Sequence, residues 1–315
     1  MSIKDEIIFL SGGRIRDVLD CISASEFEEF EEIRFRVGKP SFVKKRGNEY
    51  FLLSSGAISL HQDSAFVAEA GDIKTFINIL SGYSLYAFEE ELKNGYITVE
   101  GGHRIGVSGK TVVENGNVMS LNSFSGINIR ISHEIKGCAE NVLPYITEGQ
   151  GVFNTLIVSP PGVGKTTLLR DIIRLLSIKG KNVSVADERG EIAGSWQGKA
   201  YNDLGPRADI LDCCPKKEGM LMLLRSMSPD VIAVDELGSD EEIKAVETIL
   251  SGGVSVICTV HGNSAEDALK RTGISKSGCA ESFDRFIELC RKGNGKIEAV
   301  IRDLHGNTVG KEAIR

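Results

Sequence analysis

The strongest chemical signal in the chain is a run of residues that passes from an apolar strand, through a loop of small residues, into a helix. It reads Leu156-Ile157-Val158-Ser159-Pro160-Pro161-Gly162-Val163-Gly164-Lys165-Thr166-Thr167. This is the setting a phosphate-binding P-loop needs. Backbone N–H groups of Ser159 and of Gly162, Val163, Gly164, Lys165, Thr166 and Thr167, with the positive end of the following helix dipole, would cradle a β-phosphate, while Pro160 and Pro161 shape the turn. Lys165 would reach the β- and γ-phosphates, and the hydroxyl of Thr166 would ligate Mg²⁺. Ser159 stands where the usual pattern has its first glycine; its side chain is small enough to keep the turn.

Farther along, Asp230-Val231-Ile232-Ala233-Val234-Asp235-Glu236 ends an apolar strand on two carboxylates. Asp235 suits a Mg²⁺ position and Glu236 a general base that polarises the attacking water. That base separates hydrolysis from phosphate transfer to a small substrate. Val185-Ala186-Asp187-Glu188-Arg189-Gly190-Glu191 also places charges directly after a strand, at the edge where α/β sheets bind ligands. Asp187 would assist the metal and Glu188 the water. Thr259-Val260-His261 ends another strand, and His261 would sense the γ-phosphate by hydrogen bonding.

Elements able to hold these residues follow from periodicity. From about residue 150, apolar runs at 152–158, 183–186, 231–234 and 254–259 alternate with helical patterns, including 166–176. Runs this apolar suit a parallel sheet buried on both faces, so the fold class is α/β. The first part is mixed α+β. Helices are expected over 14–32 and 72–92, and a half-buried strand over 32–37, closed by Gly38 and Pro40. A hairpin pairs 111–113 with 118–121 around Asn115-Gly116, and 127–131 forms another strand. These patterns give an N-terminal α+β domain over 1–137, a linker over 138–150 and an α/β domain over 151–315.

Composition narrows the classes. The 315 residues carry 37 Lys and Arg against 44 Asp and Glu, a net charge of −7, with aromatics at 6%. That balance argues against broad nucleic-acid binding and stacking platforms. The start has no secretory pattern and no segment has the apolar length of a membrane span, which points to the cytoplasm. The 7 cysteines include no Cys-x-x-Cys pair, so a zinc site is not expected.

The loop, the Asp187-Glu188-Arg189 segment, the Asp235-Glu236 pair and the Thr259-x-His261 segment occur in the order found in the secretion ATPase superfamily, which powers type II and type IV secretion and pilus motors. The chain resembles that superfamily, and in particular a branch from endospore formers. It shares with that branch Glu32 to Pro40, Gly101 to Gly106, Ile127 to Arg130, the Pro-Pro-Gly-Val-Gly-Lys-Thr-Thr loop and Asp187 to Gly194. The resemblance implies a RecA-like P-loop ATPase core with a smaller mixed α+β N-terminal domain, ATP and Mg²⁺ as ligands, and a hexameric ring. It also implies that N-terminal arginines approach the phosphates, a role that falls to Arg104 and Arg130, with Arg207 and Arg271 as weaker candidates. Members of the branch work in the mother cell beside membrane proteins of a channel to the forespore, which would be the partners here. Two other functions stay open: a nucleic-acid translocase or RNA-binding ATPase, and a nucleotide-gated ring scaffold with little turnover.

Overall fold

The computed structural model describes residues 2–314 apart from 85–87, 89–91, 93–94, 197, 272–273, 275–278 and 294, and leaves aside the side chains of residues 117 and 271. The chain divides into two compact units, Met1–His133 with Gly194–Tyr201, and Glu134–Ala193 with Asn202–Arg315. Among the described residues no helix is long and apolar enough to cross a membrane.

The first unit opens with α1 (Ile3–Phe9), α2 (Gly13–Asp20) and α3 (Ala24–Phe27). Strands β1 (Phe30–Arg36), β2 (Lys39–Lys45), β3 (Asn48–Leu52) and β4 (Ile58–Ser59) follow. Helix α4 (Ala70–Leu80) then precedes β5 (Tyr96–Thr98), β6 (Arg104–Glu114) and β7 (Asn117–Arg130). The strands form one antiparallel sheet in the order β4-β3-β2-β1-β7-β6-β5.

The helix expected over 14–32 is broken. Ser23 accepts a hydrogen bond from the Glu26 N–H and starts a new helix, and the chain has entered β1 by Phe30. Ile15, Val18, Leu19 and Ile22 are nonetheless buried, so the periodicity marks the inward face and misses the cap. The helix expected over 72–92 ends at Leu80; residues 85–87 and 89–91 of that stretch lie outside the described residues. Gly38 does not end the strand region. With φ of 68° it turns β1 directly into β2, pairing Arg36 with Lys39. The hairpin turn at Asn115 and Gly116 has φ of 51° and 80°, the left-handed pair that a two-residue loop requires. The two segments expected after it form the single strand β7.

Side chains alternate across this sheet. Ile33, Phe35, Ile105, Ile127 and Ile129 are buried in a core with Ile73, Phe76 and Ile77 of α4 and Leu19 of α2. Register pairs Glu32 with Arg130, Arg34 with Asn128 and Arg104 with Arg130, and these residues take the other face.

The second unit contains the short hairpin β8 (Thr147–Glu148) and β9 (Gly151–Val152), then β10 (Thr155–Ser159), α5 (Lys165–Ile178), β11 (Val183–Asp187) and β12 (Ala208–Asp212). Helix α6 (Lys216–Ser226), β13 (Val231–Val234), α7 (Asp240–Ser251), β14 (Ser255–His261), α8 (Ala265–Arg271), β15 (Arg285–Arg291), β16 (Ile297–Asp303) and β17 (Thr308–Ile314) complete it. The run 152–158 is therefore two strands. Asn154 divides them, its N–H on Asp284 Oδ2 at 2.9 Å and its Oδ1 on the Val256 N–H at 3.1 Å.

The eight strands run β12-β11-β13-β14-β10-β15-β16-β17, parallel as far as β15. β10, β11, β13 and the start of β15 are buried, as the apolar runs require. The register sets Ala186 beside Val234, Val234 beside Cys258, and Cys258 beside Leu156. One residue on, Asp187, Asp235 and Thr259 reach the same edge, and Ser159 pairs with His261. Helix α7, which follows Glu236, carries a full capping box between Ser239 and Glu242. Ser239→Ala should cost about 1 kcal/mol of stability, read as a lower denaturant midpoint at unchanged slope.

Candidate functional site at the C-terminal edge of the parallel sheet

β10 ends at Ser159, which is buried. Its hydroxyl donates to the Pro160 carbonyl at 2.8 Å, and its own carbonyl accepts from the Gly262 N–H at 3.2 Å and Lys165 Nζ at 3.4 Å. The serine thus ties the loop together where the usual pattern has glycine. Gly162 and Gly164 have φ of 73° and 109°, a conformation in which a side chain would be strained. Gly164 starts α5 without a side-chain cap, so the first-turn N–H groups are left for an anion. Val163 is buried beneath them.

Four side chains then form a hydrogen-bonded chain. Lys165 Nζ lies 2.9 Å from His261 Nδ1, His261 Nε2 lies 2.7 Å from Glu236 Oε1, and Arg189 Nη1 donates to Glu236 Oε2 at 3.0 Å. An ammonium can only donate, so His261 Nδ1 accepts and its proton sits on Nε2. Burial lowers the pKa of Lys165, with Asp235, Glu236 and Glu191 opposing. Burial pushes the Glu236 carboxyl up, but His261, Arg189 and Lys165 outweigh it and hold the group below its ordinary value.

Beside this chain, Thr166 Oγ1 donates to Asp235 Oδ2 at 2.7 Å. Thr259 Oγ1 donates to Asp235 Oδ1 and accepts the Glu236 N–H at 2.9 Å. One hydroxyl therefore fixes both acidic residues. Among the described residues no group of three His, Cys, Asp or Glu gathers as a metal cage would. Mg²⁺ keeps several waters and needs only one or two protein ligands, so Thr166 and Asp235 fit it.

Asp187 faces a different task. Its carboxylate accepts the N–H groups of Glu191, Ile192 and Ala193 at 2.9, 3.0 and 2.8 Å. These bonds shape the turn after β11. Asn202 closes the neck of the following loop, donating from its N–H to the Ala193 carbonyl at 3.0 Å and from Nδ2 to the Ile192 carbonyl at 2.8 Å. Burial raises Asp187 to about 6, against the pull of those backbone bonds. Glu188 lies 3.5 Å from Lys216 Nζ.

Three residues of the site carry no motif signal. Lys216, buried at the start of α6, donates to the Glu236 carbonyl at 2.6 Å. Glu236 has φ of 52°, a left-handed conformation that costs a non-glycine residue about 1 kcal/mol or more. Lys216 and Thr259 hold it there. Arg170 lies on α5 one turn after Thr166; burial works against its charge while Asp235 and Asp187 sustain it, and its Nε is buried without a partner. Arg291, at the end of β15, donates to the Gly162 carbonyl at 3.2 Å. Each depends on tertiary placement.

The remaining arginines separate clearly. Arg207 precedes β12 and bonds Asn182 Oδ1 at 3.2 Å, at the start of β11. The length of that strand, about 16 Å at 3.3 Å per residue, separates it from the edge that bears Asp187 in the same chain. The side chain of Arg271 lies outside the described residues. Arg104 and Arg130 are paired across β6 and β7 of the first unit, with Arg104 stacked 4.9 Å from the Tyr96 ring centre.

The family model for sporulation stage III, protein AA matches residues 1–309. The chain belongs to this family. It is 40% identical over 303 residues to stage III sporulation protein AA of Bacillus subtilis, covering 94% of both chains. The fold is also found in solved structures. The Legionella pneumophila ATPase DotB superposes with a TM-score of 0.57 at 17% identity, over 92% of this chain and 80% of that one. The pilus retraction motor PilT, solved with ADP, gives 0.54 at 18% identity, over 88% and 79%. The α/β core with a smaller α+β N-terminal part is thereby established.

A pH test isolates Asp187. Its raised pKa means that the stability it contributes is complete below its unfolded value near 3.8 and is lost as pH rises through about 6. The stability difference between wild type and Asp187→Asn should therefore shift toward the variant by on the order of 3 kcal/mol between pH 3.5 and 7. Paired denaturant titrations check this; a difference that does not change with pH would exclude a buried, titrating Asp187.

Proposed function

We propose that the chain is a Mg²⁺-dependent ATP hydrolase, a secretion-ATPase-like motor of the cytoplasm. It energises a membrane-associated channel or secretion complex between mother cell and forespore during endospore formation. The observation that carries this reading is the continuous chain Lys165–His261–Glu236–Arg189 beside an uncapped helix start. It joins a phosphate-binding cation to a carboxylate suited to act as base.

ATP enters with its phosphates against the N–H groups from Gly162 to Thr167. Lys165 turns from His261 to the β- and γ-phosphates. Thr166 and Asp235 would hold Mg²⁺, which would add positive charge beside those phosphates. His261, released at Nδ1, can then meet the γ-phosphate while Nε2 still orients Glu236. Glu236 takes a proton from the attacking water. It is a weak base while Arg189 and His261 both hold it, so departure of Arg189 strengthens it. Glu188 acts through Lys216, and Asp187 through the turn it organises. Arg104 and Arg130 approach the phosphates when the nucleotide is bound, as the resemblance implies, and six copies form a ring.

Two variants test the chemistry. Lys165→Ala should lose ATP binding. Glu236→Gln should bind ATP and release phosphate about 100-fold or more slowly; wild-type turnover by it would refute the base assignment. A ring that assembles on ATP and functions in the Glu236→Gln chain would instead favour the nucleotide-gated scaffold. Lys216→Met should lower kcat about tenfold with little change in KM, because Lys216 supports the base and not the substrate. Steady-state kinetics separates the two parameters, and an equal change in both would remove Lys216 from that role.

A further inference from the structure

The polar face of the first unit's sheet contains a cavity of about 290 Å³ that the proposed hydrolysis does not use. Arg34, Arg36, Gly106, Ser108, Gly126 and Asn128 line it. Two independent features mark it as a site. The Oδ1 of Asn128 is buried and accepts no hydrogen bond among the described residues. A buried acceptor left in this state is unfavourable unless something donates to it.

The second feature is a concentrated positive charge. Arg34 and Arg36 sit at 5.6 and 5.1 Å from the centre of the same Phe42 ring. Stacking on one ring keeps two guanidinium groups together despite their repulsion. Arg34 is ion-paired with Glu32 through Nε, while no carboxylate pairs with Arg36 among the described residues. Gly106 and Gly126 line the cavity along with the arginines and the amide. A Cβ on Gly126 would lie 3.0 Å from Ser108 Oγ and from the Phe35 carbonyl, and one on Gly106 would lie 3.5 Å from Asn128 Cβ. Glycine at both positions avoids that crowding and adds no side chain to the cavity.

We propose that this cavity binds a mononucleotide, at a site separate from the loop after β10. The phosphate lies on Arg34 and Arg36, whose planar forks match phosphate oxygens. The base lies over Gly106 and Gly126 and donates an N–H to Asn128 Oδ1. Inorganic phosphate alone would satisfy the arginines and leave the amide oxygen unpaired. The volume is at the lower end for ligand pockets and suits a ligand of this size.

The test uses the full chain carrying Lys165→Ala, so that the loop does not compete, and calorimetric titration with AMP, adenosine and inorganic phosphate. AMP should bind more tightly than either fragment. Arg36→Gln and Asn128→Leu should each weaken AMP about tenfold or more. Leucine is close to asparagine in size and removes the orphan oxygen, so Asn128→Leu should keep its thermal midpoint. No AMP binding, or binding indifferent to both variants, would overturn the proposal, and phosphate binding as tightly as AMP would overturn the base contact. In the chain with Lys165 intact, Asn128→Leu should still bind ATP. A failure of the loop assignment would appear separately, as ATP binding that survives Lys165→Ala.

Discussion

The second unit is organised around placing opposite charges in a nearly dry setting without letting them neutralise one another beyond use. Lys165, Asp235 and Asp187 are all buried at one sheet edge. Charges there are tolerated only when paired and hydrogen-bonded. Thr166 and Thr259 cover both oxygens of Asp235, backbone amides cover Asp187, and His261 lies between Lys165 and Glu236. Removing any one of these partners would leave a charge exposed to a medium that solvates it poorly.

Parallel register is what makes this possible. Strands that point the same way bring their last residues to a common edge, and each apolar run ends just where a charge is wanted. Asp187, Asp235 and His261 are distant in sequence and adjacent through β11, β13, β14 and β10. Polar residues one step earlier would lie between the strands and the helices. One step later, they would leave the edge.

This explains what could be read from the residues beforehand. The P-loop, the acidic pair and the histidine were legible because each is a short motif placed after an apolar run. The hairpin at Asn115-Gly116 was legible because left-handed backbone favours those residue types. The breaks at Ser23 and Asn154 were not, because each is set by a hydrogen bond to a specific partner, and periodicity carries no record of it. Lys216 and Arg291 look like ordinary surface cations in a linear text. Only the fold shows one beneath the Glu236 carbonyl and the other on the Gly162 carbonyl. Asp187 lay at the expected edge, and its carboxylate proved to be occupied with its own turn.

That turn has a mechanical side. Residues Gly194–Tyr201 leave the second unit and return to it, and Asn202 pins the neck of this excursion to Ile192 and Ala193. The same two residues hang from Asp187 by their amides. The neck of the excursion is therefore one hydrogen bond from a single carboxylate, through the Ala193 N–H. Both ends of the excursion are thus anchored at the strand end that leads into Glu188 and Arg189.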